Sequence, residues 1–136
     1  NFALSMMLDE SVLAPVLSQP SLPLDKAGAI ESPPEELTAV RARLEAEDLT
    51  VLAYRFEGDS FCQAQRFKAY KAALGDRFDG RVLADSAANI DVPPFSEKYV
   101  KTPHSVVTTH LVNEVGQPTI YARDEILDFF RMRLMS

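Results

Sequence analysis

The chain has 136 residues, 46% hydrophobic and 25% charged, with 8 Phe, 4 Tyr and no Trp. That is the size and make-up of a single folded domain, not of a disordered chain. Its net charge of −6 argues against a phosphate-binding surface, so neither nucleic acid nor an anionic membrane is expected as a partner. One cysteine, Cys62, excludes an intramolecular disulfide and the Cys-rich metal frameworks, and favours a reducing, cytoplasmic setting.

Residues 1–8 have a helical composition, ended by Asp9-Glu10-Ser11, with no cap before Phe2 and no Met at position 1. Residues 12–17 read as a short buried strand, and Pro15, which has no N–H to donate, places it at an edge or a strand end. A Pro-rich connection fills 18–32. Ser32-Pro33-Pro34-Glu35 then supplies a cap and a proline at the first helical position, and Leu37, Val40 and Leu44 recur at helical spacing. This predicts a helix over 33–47. Residues 49–56 are nearly continuous in apolar and β-favouring side chains, the signature of a strand covered on both faces and therefore of a parallel sheet.

Phe67, Tyr70 and Leu74 predict a further helix, closed by Gly75, and Asp79-Gly80 reads as a turn into a strand at 81–84. No periodicity runs through 85–103, where Pro93-Pro94 forbids regular structure; a structureless stretch of this length inside a domain is often functional. A short helix through Val106 and Leu111 follows. After the break at Gly116-Gln117-Pro118 comes a long helix presenting Ala122, Ile126, Phe130 and Leu134 on one face.

Strands alternating with helices predict an α/β fold, a mostly parallel sheet with helices on both faces. Three strands alone leave an open sheet edge, which proteins normally pair or cover. Together with the abrupt start, this gives the expectation that more sheet precedes Asn1 and that residues 1–136 are part of a larger domain.

In such sheets reactive groups gather on loops at the carboxyl ends of strands. Asp59 lies three residues beyond Phe56, and His104 follows the next strand. An acid and then a histidine, in that order, is the arrangement of an α/β-hydrolase triad whose nucleophile comes earlier in the chain. The acid would hold the imidazole in one tautomer, and the histidine would deprotonate the nucleophile and pass the proton on.

The segment Arg55-Phe56-Glu57-Gly58-Asp59-Ser60-Phe61-Cys62 resembles the acid-bearing loop of the dienelactone hydrolase-like proteins, and Pro103-His104-Ser105-Val106 resembles their histidine loop. Phe2-Ala3-Leu4-Ser5 is similar to the helix after the family's nucleophile elbow, and residues 12–20 to the strand and loop that follow it. The resemblance implies the C-terminal half of an α/β-hydrolase that cleaves carboxylic esters or lactones. Asp59 and His104 would be catalytic, no cofactor would be needed, and a Cys or Ser nucleophile would lie upstream of Asn1. The chain departs from the family at Gln63, where many members have Pro, and at Pro103, where many have Gly.

Other readings of these residues exist. Asp59 also fits a turn former or helix cap, and Glu57 is a competing acid. His110, six residues after His104, reads as a helix-surface or packing residue. That spacing does not place two ligands on one helical face, so no metal is expected. Cys62 follows the acid instead of sitting on a strand-turn-helix elbow, which favours packing over nucleophilic chemistry. Phe61, Phe95 and Tyr99 either line a substrate pocket or anchor the loops. A non-catalytic α/β binding or regulatory module is the alternative function. A nucleotide-binding domain is disfavoured, because the sequence contains neither G-x-G-x-x-G nor a P-loop.

Overall fold

The structure, a computed structural model, describes residues 2–136. Strands β1 (Val16–Ser18), β2 (Val51–Phe56) and β3 (Phe78–Leu83) form a parallel sheet in the order β1-β2-β3. Helices α1 (Pro34–Ala46) and α2 (Ala64–Leu74) connect them, and α3 (Pro94–Tyr99) and α4 (Pro118–Leu134) follow β3. The protein is therefore an α/β fold with a small parallel sheet and flanking helices. Among the described residues no helix is long and apolar enough to cross a membrane.

β2 is buried at every position, as its unbroken apolar run predicts, and its alternation splits the core in two. Val51 and Ala53 pack with Val40 and Leu44 of α1, Phe67, Tyr70 and Leu74 of α2, and Leu4 and Met7 from the N-terminal turn. Leu52, Tyr54 and Phe56 face the other way, against Ala122, Ile126 and Phe129 of α4 and against Val106. Burying a side chain of Leu or Phe size stabilises by about 1.5–3 kcal/mol, so the sheet is held from both faces.

Several local expectations are corrected. The first helix is one short 3-10 turn, Ser5–Leu8, whose end is held by Arg43 Nη1 donating to the Met7 and Asp9 carbonyls, both at 2.6 Å. β1 begins only at Val16, because Pro15 can accept from Leu52 N (3.1 Å) but cannot donate. The α1 N-cap is Pro33, one residue later than expected, and the Ser32 hydroxyl pairs with that of Ser5 at 3.0 Å instead of capping.

Asp79-Gly80 lies inside β3 and is not a turn: Leu52 pairs with Asp79 and Ala53 with Gly80 in register. Gly80 is there for space, since a Cβ would come within 2.9 Å of the Phe78 ring and 3.0 Å of Phe67. Asp79 points outward to Arg81, two residues along the same face.

The segment 85–103 is not structureless. It holds a 3-10 turn, Asp85–Ala87, and α3, which starts at the second proline of the Pro93-Pro94 pair. The helix expected through Val106 and Leu111 is a series of turns. On α4, Ala122, Ile126 and Phe129 are buried while Leu134 is exposed, so the buried stripe leaves the predicted face before the helix ends.

Candidate functional site

β2 and β3 run parallel and finish level, Phe56 opposite Leu83, with Glu57 N extending the ladder to Leu83 O at 2.8 Å. The loops leaving these two ends are therefore neighbours. On the β2 side the chain turns sharply around Asp59, whose Oδ1 accepts the backbone N–H groups of Phe61 (2.9 Å) and Cys62 (3.0 Å). This is a side-chain-closed turn. It is not a cap of α2, whose N-cap is Gln63.

Two further groups fix this loop. Arg55, buried on β2, donates through Nη1 to the carbonyls of Phe56 (2.6 Å), Glu57 (3.1 Å) and Cys62 (3.3 Å). Its guanidinium lies 5.7 Å from the centre of the Phe67 ring. On the opposite side, Gly58 N donates to Asp85 Oδ1 at 2.8 Å, and the other oxygen of Asp85 sits 2.2 Å from where a Gly58 Cβ would be. Only a glycine lets the carboxylate after β3 approach the backbone after β2 so closely.

The second oxygen of Asp59 meets His104. Asp59 Oδ2 lies 2.7 Å from His104 Nδ1, a contact between residues 45 apart in sequence. The Asp59 side chain is 0% exposed and that of His104 16% exposed. A buried carboxylate is stable only when its oxygens are hydrogen-bonded, and here one oxygen takes two amides while the other takes the imidazole. Turn-forming and histidine-orienting roles are thus both filled, by different atoms of one side chain.

An ionised carboxylate can only accept, so Nδ1 carries a proton, and in the neutral imidazole Nε2 then keeps its lone pair. Among the described residues Nε2 makes no hydrogen bond. The Phe61 ring packs edge-on against the imidazole, centroids 5.3 Å apart. Of the aromatic loop residues singled out in the sequence, Phe61 contacts His104, whereas Phe95 and Tyr99 are solvent-exposed on α3.

The histidine segment is clasped to the acid loop a second time. Thr102 Oγ1 accepts from Ser60 N and pairs with Ser60 Oγ, both at 3.0 Å. Behind His104, the buried His110 lies edge-on to Phe56 (6.1 Å), and its Nδ1 accepts the backbone N–H of Ser105 (3.0 Å) and, more weakly, that of His104 (3.3 Å). Burial first and the charge of His104 second hold its pKa below the ordinary histidine value, against a smaller opposing pull from Asp59. His110 thus packs as one sequence reading had it, but on a turn, not on a helix.

Glu57, the competing acid, is exposed. Cys62 is fully buried, and burial, then the Asp59 charge, pushes its thiol up to about 12. It is a protonated packing residue in the α1–α2 core.

A cavity of about 340 Å³ opens beside the histidine segment, lined by Asp85, Asn89, Ile90, Glu97, Thr102 and His110 among others. A larger one of about 520 Å³ lies toward the amino ends of β2 and β3, between Thr50, Arg81 and α4, away from the Asp59–His104 pair.

Sequence reasoning located Asp59 and His104 but missed Arg55, Asp85, Thr102 and the role of His110. Gly58 is a local signal, a glycine just past a strand end where the Asp85 carboxylate comes close. No family model matches the chain, and neither a curated protein nor a solved structure matches it significantly.

Proposed function

We propose that this chain carries the acid, Asp59, and the base, His104, of a nucleophile-histidine-aspartate triad in an α/β-hydrolase resembling the dienelactone hydrolases. It acts on carboxylic esters or lactones, and a Ser or Cys nucleophile comes from chain preceding Asn1. The observation that carries the reading is the 2.7 Å contact from His104 Nδ1 to the fully buried Asp59 Oδ2, which leaves Nε2 with a lone pair and no partner among the described residues.

In this reaction Nε2 takes the proton of the nucleophile as its oxygen or sulfur bonds to the carbonyl carbon. The ester C–O bond then breaks, and the leaving alkoxide takes that proton from Nε2. Water repeats the sequence: its proton passes to Nε2, its oxygen attacks the acyl carbon, and the nucleophile leaves reprotonated. Asp59 stays ionised throughout and stabilises the imidazolium formed in each half.

The competing reading, a non-catalytic α/β module, also has an observation behind it. The Asp59–His104 and Ser60–Thr102 contacts tie two loops together, which is a structural service in its own right. Hydrolysis of 4-nitrophenyl acetate and of an enol-lactone by the polypeptide of the full reading frame separates the two. The triad reading expects turnover that His104→Ala reduces by about 10⁴-fold or more. Turnover that survives His104→Ala intact, or no turnover of either substrate, favours the module.

A further inference from the structure

We propose that His110 is a positioning residue for His104, acting through an unprotonated Nδ1 that anchors the backbone from which the catalytic imidazole reaches Asp59. The inference rests on the triad reading and names a control over that same site.

The geometry is a closed ring. Ser105 N donates to His110 Nδ1 at 3.0 Å while His110 N donates back to Ser105 O at 3.0 Å, so the side chain and main chain of one residue grip both sides of another. The His104 N–H leans on the same nitrogen at 3.3 Å. His110 O in turn accepts from Asn89 N at 2.9 Å, which fixes the ring to the segment after β3, and the imidazole is wedged edge-on against Phe56 at the end of β2. His110 therefore references the His104 backbone to the strand end from which the Asp59 loop departs.

Nδ1 has one lone pair, and two N–H groups point at it; the neutral Nε2–H tautomer is the form that can accept them. A proton on Nδ1 turns acceptor into donor and sets it against both amides. His110 is seated where protonation is disfavoured, buried and beside His104. The charged groups around it are His104 in its own segment, Asp59 after β2, Asp85 after β3, and Glu97 and Lys101 across the adjoining cavity. A proton on His110 Nδ1 therefore makes it let go of the loop that carries His104.

Three proteins test this: wild type, His110→Asn, which keeps an acceptor near the Nδ1 position and does not titrate, and His110→Phe, which keeps the ring against Phe56 but has no acceptor. Amide hydrogen exchange at Ser105 and His104 is read on the folded chain, independently of any activity. Protection is expected in wild type and His110→Asn, with at least a tenfold loss in His110→Phe. In the full-reading-frame protein, kcat is expected to fall about 10- to 100-fold in His110→Phe with KM within about twofold, and to stay within about threefold in His110→Asn. The acid limb of log kcat against pH should steepen from slope one to slope two in wild type and remain at one in His110→Asn.

Unchanged Ser105 protection in His110→Phe overturns the proposal, whether or not the protein is a hydrolase. So does an acid limb identical in wild type and His110→Asn. Absence of any His104-dependent turnover counts against the triad reading instead, and leaves the exchange experiment to decide what His110 does. A His110→Phe protein that does not fold still leaves the wild-type and His110→Asn profiles to compare, and equal profiles reject the proposal.

Discussion

The loop after β2 and the segment after β3 are joined by hydrogen bonds between Asp59 and His104, between Ser60 and Thr102 and between Gly58 and Asp85, yet they are built in opposite ways. The acid loop is mostly local: Asp59 closes its own turn within three residues, and Arg55 binds three carbonyls of the same stretch. The histidine segment is long and includes exposed Ile90, Phe95 and Tyr99. It is placed mainly by distant groups, Asp59, Ser60 and Gln19, and by the later His110. A buried carboxylate needs a rigid cradle because its charge is costly to leave unpaired. Under the triad reading, a base that must accept and release a proton needs one fixed edge and one accessible edge; Asp59 fixes the Nδ1 edge of His104, whose side chain is 16% exposed.

The largest expected effect comes from breaking the contact between the two regions without disturbing either. In Asp59→Asn the Oδ1 turn can persist, but an amide N–H then faces Nδ1, the imidazole flips to the Nε2–H tautomer, and the base is lost. Under the triad reading, kcat in the full-reading-frame protein is expected to fall about 10⁴-fold, with thermal unfolding showing a chain that still folds cooperatively.

Next is Gly58→Ala, which strikes the acid side. The new Cβ claims the position of the Asp85 carboxylate, which swings away and gives up its bond to Gly58 N. Loss of one such bond costs about 1 kcal/mol, partly offset by the stiffer unfolded chain, so denaturant titration should show a net loss of up to about 1 kcal/mol. Thr102→Val strikes the histidine side and is expected to cost less, about 0.5 kcal/mol, because water can replace the exposed Ser60 partner. Its signature is kinetic: kcat should drop about threefold with KM little changed. If Gly58→Ala harms kcat more than Thr102→Val, the contrast between a rigid acid side and an adjustable base side is reversed.

Acid should unpick the histidine side first. The His110 pKa is lower folded than unfolded, so between the two values the unfolded chain binds more protons and stability falls as pH falls. The contribution is fully present above the ordinary histidine pKa of about 6.5 and is lost progressively as pH drops from there through the folded value. Urea midpoints measured from pH 7.5 down to 4.5 should decline through this window, and the decline should be shallower in His110→Asn.

The same contrast explains what could be read in the sequence. α1, α2 and α4 are legible because their burial patterns are local and periodic, β2 because its apolar run is unbroken, and the Asp59 turn because it spans three residues. Asp79-Gly80 reads as a turn because glycine is a common turn signal, whereas Gly80 makes room for the Phe67–Phe78 aromatic pair packed over β3. α3 was hidden behind Pro93-Pro94, although proline at a helix start is compatible with the helix that follows. Thr102, Asp85 and the role of His110 depend on contacts between chain segments brought together only by strand register, and no spacing in one sequence encodes that.

Asp59 is expected to hold His104 with the proton on Nδ1 and Nε2 open. Nitrogen-15 spectra of the chain labelled at histidine, recorded above the titration of the imidazoles, test it most directly. His104 should show the Nδ1–H tautomer with a strongly downfield proton that vanishes in Asp59→Asn, while His110 shows the Nε2–H tautomer. A His104 in the Nε2–H or a rapidly averaged form, indifferent to Asp59→Asn, contradicts it.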